Sequence, residues 1–265
     1  MNQFMSFKNR ICLVTGAGSN FGIGFATAKI LGGLGATLAL IATTDRIYDR
    51  VFELQAEGIC AKGYIADLMD RSQVSEAVAA VIADFGRIDV LINNAGMSQV
   101  GQEEDFETFA TLSDEAWDLS ISRNLTLCYN VTRNVLPHML KSNYGRIVNV
   151  SSATGPVVSN PGEAAYSAAK AAVIGMSRSI AIEVAKNNIM INNVLPGWIA
   201  TASQTQGEVA GGQNTPAGRS GSSAEVASMI VFLASAEASY ITGQAFIVDG
   251  GNTIQEYKGP SELYY

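Results

Sequence analysis

Seven strand-length apolar runs alternate with longer amphipathic segments along this chain, and nothing else in the sequence restricts its fold so strongly. The strands are expected at residues 10–14, 37–42, 61–66, 90–93, 146–151, 190–195 and 245–248. Helical spacing fills the intervals at 23–34, 45–57, from Ser72 as cap to Phe85, from about Ser113 past Asn124, through Val131 and Leu140, at 165–185 and at 224–233. Strand and helix alternating without a break require right-handed crossovers and a parallel sheet covered on both faces. The expected fold is therefore α/β, one doubly wound parallel sheet over residues 1–265, with no linker or internal repeat. The least regular stretches, 98–112 and 201–223, follow strand ends, where open α/β sheets bind ligands. They are the expected substrate loops.

Composition narrows the classes of partner. Of 265 residues, 48% are apolar and 15% charged, so a large core forms without metals or disulfides. A net charge of −7 and the lack of a basic, aromatic-interleaved stripe argue against nucleic acid and anionic membranes. No apolar stretch has the length of a membrane span, and the first ten residues lack the apolar run of a signal peptide. A cytoplasmic location is the expectation. Cys12, Cys60 and Cys128 are read as buried thiols of a reducing compartment, and a single histidine, His138, gives no metal site.

The turn after the first strand runs from Thr15-Gly16 to Gly22-Ile23-Gly24. Glycines there let backbone approach a pyrophosphate at a helix N-terminus, although a tight strand-to-helix turn has the same look. Asn93 to Gly96 after the fourth strand and Asp67-Leu68 after the third add two more walls to one cleft. Asp67 suits an adenine amino group or, equally, a turn cap.

Tyr166 and Lys170 are four apart at the start of the long helix, one turn apart on one face. An ammonium about 4 Å from a phenol favours the phenolate by up to ~4 kcal/mol at an effective dielectric near 20. That moves tyrosine towards the working range of a general acid-base. Ser151 and Ser152 end the fifth strand at the same sheet edge, and either can hold a substrate oxygen. Asn124, an amide inside a predicted helix, suits a backbone carbonyl or a water.

These residues occur in the order seen in short-chain dehydrogenase/reductases, which the chain resembles from Thr15 to Gly251, most of all in the β-ketoacyl-acyl carrier protein reductase-like branch. The resemblance rests on Thr15 to Gly24, Asn93 to Gly96, Asn124, Ser152, Tyr166 with Lys170, and Pro196 to Thr201. It implies a Rossmann-type sheet and direct hydride transfer between a nicotinamide and a carbonyl or secondary alcohol. Tyr166 would donate or accept the proton, Lys170 would support it and bind the ribose, Ser152 would orient the substrate oxygen, and Asn124 would serve a proton relay. The implied cofactor contacts are Gly16, Ser19, Asn20, Gly22, Ile23, Thr43, Arg46, Asp67, Leu68, Asn94, Ala95, Gly96, Tyr166, Lys170, Pro196, Gly197, Ile199 and Thr201. No metal is required.

Two departures stand out: two extra residues, placed at Asn20-Phe21, lengthen the phosphate loop, and one extra residue lies between Ser152 and Tyr166. Ala42 stands where NAD-preferring relatives carry Asp, with Thr43, Thr44 and Arg46 nearby, so NADP is favoured over NAD. Asp45 lies close enough that a shift in register would reverse the preference. The resemblance also implies a dimer or tetramer, paired through the helices of Asn124 and Tyr166 and through the last strand. The tail from Gln255 to Tyr265 carries three tyrosines, and is expected either to pack, as on a neighbouring subunit, or to fray. Trp198, Met97, Val157 and Val158 are expected to make a mostly apolar substrate pocket. Other readings are an alcohol or diol dehydrogenase running in the oxidising direction, a catalytically silent nucleotide sensor, and an epimerase or dehydratase relative, for whose second domain there is little room.

Overall fold

The structure, a computed structural model, describes residues 5–96 and 107–260. Its strands are β1 (Ile11–Thr15), β2 (Thr37–Ala42), β3 (Ala61–Ile65), β4 (Val90–Asn93), β5 (Gly145–Val150), β6 (Ile189–Pro196), β7 (Ile199–Ala200), β8 (Gly221–Ser222) and β9 (Ala245–Val248). Between them run α1 (Ile23–Gly33), α2 (Arg46–Ala56), α3 (Arg71–Phe85), α4 (Asp114–Ile121), α5 (Leu127–Ser142), α6 (Ala164–Val184), α7 (Gln206–Gln213) and α8 (Ser223–Ala234).

Seven strands form one parallel sheet in the order β3-β2-β1-β4-β5-β6-β9, and β7 pairs with β8 in a small ribbon. The alternation read from the sequence has its physical cause in two cores. Cys12 and Val14 of β1 point into one, with Phe25 and Leu31 of α1, Leu54 of α2 and Ile230 of α8. Leu13, between them, points into the other, with Val78 of α3, Val135 of α5 and Val173 of α6. Each buried aliphatic side chain contributes about 2 kcal/mol. Strands covered on both faces read as continuous apolar runs.

Three local details differ from the sequence reading. Asp70, not Ser72, caps α3: its carboxylate accepts the backbone N–H groups of Ser72 and Gln73 at 2.8 and 3.2 Å. The loop expected at 201–223 holds α7 and β8. The glycines of α7 hid it, but a capping box between Thr205 and Glu208 closes its first turn. A side chain at Gly211 would stand 2.7 Å from the Trp198 indole, so that glycine lets the helix seat against the ring. Asn124 lies in a π-helical turn, Ser122–Thr126, between α4 and α5. Among the described residues, no helix is long and apolar enough to cross a membrane.

Candidate active site

The strand order reverses between β1 and β4, and side chains gather at the carboxyl ends of the strands on both sides of that point. Gly16 has φ +68°, and a Cβ there would meet the Ala95 backbone at 2.8 Å. Only glycine lets the first turn press against the end of β4. Asn94 then binds the two together, donating to the carbonyls of Thr15 and Gly16 at 3.1 and 3.0 Å. The Thr15 hydroxyl accepts the backbone N–H of both Asn94 and Ala95.

A cavity of about 230 Å³ opens here. It brings together Gly16, Ser19, Thr43, Arg46, Asp67 and Leu68, with Asn94, Ala95 and Gly96 as its floor. Ala42 and Thr44 also line it, whereas Asp45 is the residue before α2 and lies outside the lining. The Arg46 guanidinium bonds the Thr44 hydroxyl at 3.3 Å. Asp67 accepts the Met69 backbone N–H at 2.9 Å, the turn-capping role, while still facing the cavity. Gly22 and Ile23 begin α1, and Asn20 is exposed on the turn before them. The inserted turn is tied down by Ser223, whose hydroxyl donates to the Phe21 carbonyl at 2.6 Å.

Across the switch point the two serines separate. Ser151 is buried and donates to the Lys170 backbone carbonyl at 2.8 Å. Ser152 lines a second cavity, of about 360 Å³, together with Tyr166, Pro196 and Gly197. Its hydroxyl accepts the Thr154 backbone N–H at 3.1 Å. Gly155, at φ +100°, packs against α6 so closely that a Cβ would lie 2.4 Å from the Ser167 carbonyl oxygen. The turn after β5 is thereby pressed onto the first turn of the helix that carries Tyr166.

Lys170 is buried one turn on, its ammonium 5.5 Å from the centre of the Tyr166 ring and 3.4 Å from the Val150 carbonyl. A point above the Gly96 Cα lies 3.1 Å from Lys170 Nζ and 3.4 Å from Asn124 Oδ1, so the small residue leaves space beside both groups. Asn124 donates its amide to the Ser120 carbonyl at 3.1 Å, the backbone bond that its helical position suggested. π-Turns recur at functional sites because they push one residue out of helical register. Ile199 and Thr201 line neither cavity: Ile199 pairs with Gly221, and the Thr201 hydroxyl bonds that of Ser203.

Beneath the site, Asn93, Asn149 and Asn193 lie side by side in register across β4, β5 and β6. Asn93 donates to Asn149 at 2.8 Å, and Ser177 of α6 bonds both Asn149 and Asn193. This buried amide row fixes α6 relative to the strand ends, and no sequence pattern announced it.

The larger cavity holds part of the expected pocket. Trp198 and Val158 line it, but Val157 is 48% exposed and does not, and Met97, like most of 98–112, lies outside the described residues. Much of the remaining wall is polar, with Glu163, Glu208, Asn214, Asn252 and Lys258 prominent. The described part of the tail packs on its own chain, where Gln255 donates to the Asn214 carbonyl at 2.8 Å. Cys60 is exposed, against the expectation that all three thiols are buried.

The chain matches a family model described as enoyl-(acyl carrier protein) reductase over residues 16–253. It is 40% identical over 257 residues to the 3-oxoacyl-(acyl-carrier-protein) reductase of Thermotoga maritima, an alignment covering 94% of this chain and all of that one. It is 36% identical over 259 residues to the oxidoreductase UcpA of Escherichia coli, covering 93% of this chain and 95% of the relative. Among solved structures it is similar to a candidate gluconate dehydrogenase from Agrobacterium tumefaciens, with TM-score 0.86, 29% identity, and 94% of this chain and 98% of that one covered.

Proposed function

Because the chain belongs to the short-chain dehydrogenase/reductase family and is an oxidoreductase, we propose that it reduces a ketone to a secondary alcohol with NAD(P)H, through Tyr166, Lys170, Ser152 and Asn124. One observation carries the reading: Ser152 and Tyr166 share the wall of one cavity, with the Lys170 ammonium 5.5 Å behind the phenol ring.

The smaller cavity fits an adenosine. Its floor is glycine and alanine backbone, and Asp67 and Arg46 stand at its rim. The nicotinamide, when bound, supplies the hydride. Ser152 holds the substrate oxygen, and Tyr166 gives that oxygen its proton, so hydride on carbon and proton on oxygen complete the alcohol. The Lys170 charge favours the tyrosinate left behind. Asn124, beside Lys170 Nζ, connects that ammonium towards the proton supply, and Gly16, Ser19, Gly22 and Ile23 receive the pyrophosphate. Pro196 and Gly197 border the nicotinamide end.

Arg46, with Thr43 and Thr44, favours NADPH, since Ala42 leaves no carboxylate to repel a 2′-phosphate. The whole chain, 1–265, acts as one nucleotide-binding unit in the cytoplasm, as a dimer or tetramer. The oxidising direction is the second reading, favoured by the likeness to a candidate gluconate dehydrogenase. Absorbance at 340 nm, with NADPH and then NADH against a ketone panel, tests the proposal. Turnover with NADPH preferred is expected; tight nucleotide binding without turnover of any ketone, or of any alcohol in reverse, would favour a silent sensor.

A further inference from the structure

We propose that the substrate is a small polyhydroxylated carbonyl compound, of the size of a keto sugar, and not an acyl thioester. This rests on the oxidoreductase reading above and refines what that site takes.

The wall that shares the cavity with Ser152 and Tyr166 points to that class. Three separate segments build it: Asn160 and Glu163 before α6, Glu208 and Asn214 from α7 and its end, and Asn252 and Lys258 from the C-terminal segment. Several keep bonding capacity to spare. Glu208 uses Oε2 on the Thr205 N–H of its capping box, leaving Oε1. Asn252 is 7% exposed, and only its oxygen is engaged, at 3.5 Å from Gln255. Asn214 gives its backbone carbonyl to Gln255, and its side-chain amide bonds no other described residue. Glu163 adds a second carboxylate to the wall and accepts two bonds from the Asn160 amide.

Such a wall offers acceptors and donors together. A hydroxyl satisfies both, donating to a carboxylate and accepting from an amide, whereas an alkyl chain satisfies neither. Sites built to bond hydroxyls discriminate against analogues lacking them, because a buried polar group such as Asn252 is then left unpaired. The volume, about 360 Å³, suits a six-carbon molecule.

The test compares two polyhydroxy ketones, D-fructose and 5-keto-D-gluconate, with 2,3-butanedione and an acetoacetyl thioester. At least one polyhydroxy ketone should exceed both others in kcat/KM by about tenfold or more. Glu208→Gln, which keeps a capping-box side chain, and Asn214→Ala should each raise its KM about fivefold, with kcat within about twofold and the butanedione KM unmoved. A second readout avoids turnover: fluorescence of Trp198 in a Trp117→Phe background, titrated with the same sugars, should show the same weakening in both variants. Preference for the thioester, or equal KM shifts for every probe, would overturn the substrate class while leaving the reductase reading intact. Full turnover by Tyr166→Phe would instead overturn the reductase reading, and the fluorescence titration would still decide whether the wall binds polyols.

Discussion

Ser151 donates its hydroxyl hydrogen to the backbone carbonyl of Lys170 at 2.8 Å, so the end of β5 is bonded to the same turn of α6 that carries the ammonium. Its neighbour Ser152 lines the cavity with Tyr166. The two adjacent hydroxyls therefore have different work, one structural and one facing substrate. Ser151→Ala should lower stability by about 1 kcal/mol, the worth of one buried hydrogen bond, with a small effect on kcat. Ser152→Ala should leave stability nearly unchanged and lower kcat by about 10²-fold, as expected for loss of a group that holds the reacting oxygen. Steady-state kinetics beside urea unfolding checks both; the reverse pattern would mean the serines are assigned the wrong way round.

Arg46 stands at the rim of the smaller cavity with Ala42 and Thr44. Arg46→Ala should weaken NADPH about tenfold, consistent with one charge-assisted hydrogen bond, and leave NADH unchanged. Ala42→Asp should reverse the preference, since a carboxylate there repels a 2′-phosphate. Equal use of both nucleotides by wild type and Arg46→Ala would count against this role.

At the amino end of β4, Asp89 is buried and accepts the Ile11 N–H at 2.9 Å, with Arg10 and Arg87 as ion-pair partners. Asp89→Ala should cost about 3 kcal/mol, the low end for a broken buried pair, because both arginines reach water. Denaturant unfolding should show a lower midpoint, and kcat at 25 °C should be unchanged. An unaltered midpoint would show that the carboxylate is not needed there.

The three thiols should differ sharply in reactivity. Burial holds Cys12 far above the ordinary thiol range and pushes Cys128 up to about 12, while Cys60 is exposed. A raised thiol pKa leaves less thiolate, the reactive form, so at pH 8 both buried residues stay protonated. Brief alkylation of native protein, followed by mass spectrometry, should give one adduct, at Cys60. Unfolding should release the other two.

Much of this was legible because the sheet is parallel and buried on both faces, so each strand is an apolar run. Residues 37–42, 90–93 and 245–248 form the strands read there. The positions that line the smaller cavity were legible for a related reason: Gly16 and Asn94 each follow a strand directly and Asp67 stands one residue further on, at the edge where ligands bind. The polar wall was not. Glu163, Glu208, Asn252 and Lys258 come from distant segments, and only folding places them together. The expectation of apolar lining came from Trp198, Met97, Val157 and Val158; of these Trp198 and Val158 line the cavity and Val157 does not, with no signal for what stands opposite. The π-turn at Ser122–Thr126 left no trace either, since one extra residue in a turn has no repeat to detect. Cys60 was misjudged because free cysteines are usually buried, and its place just before β3 exposes it.

The most direct measurement of the central claim is Tyr166→Phe, assayed at 340 nm on a ketone that the wild type reduces, with nucleotide binding measured by fluorescence on the same sample. The substitution removes one hydroxyl and keeps the ring beside Lys170. Nucleotide affinity should stay within about twofold of wild type and kcat should fall by about 10² to 10⁴, the contribution of a positioned acid-base. Wild-type kcat in the variant, with nucleotide bound, would contradict that claim.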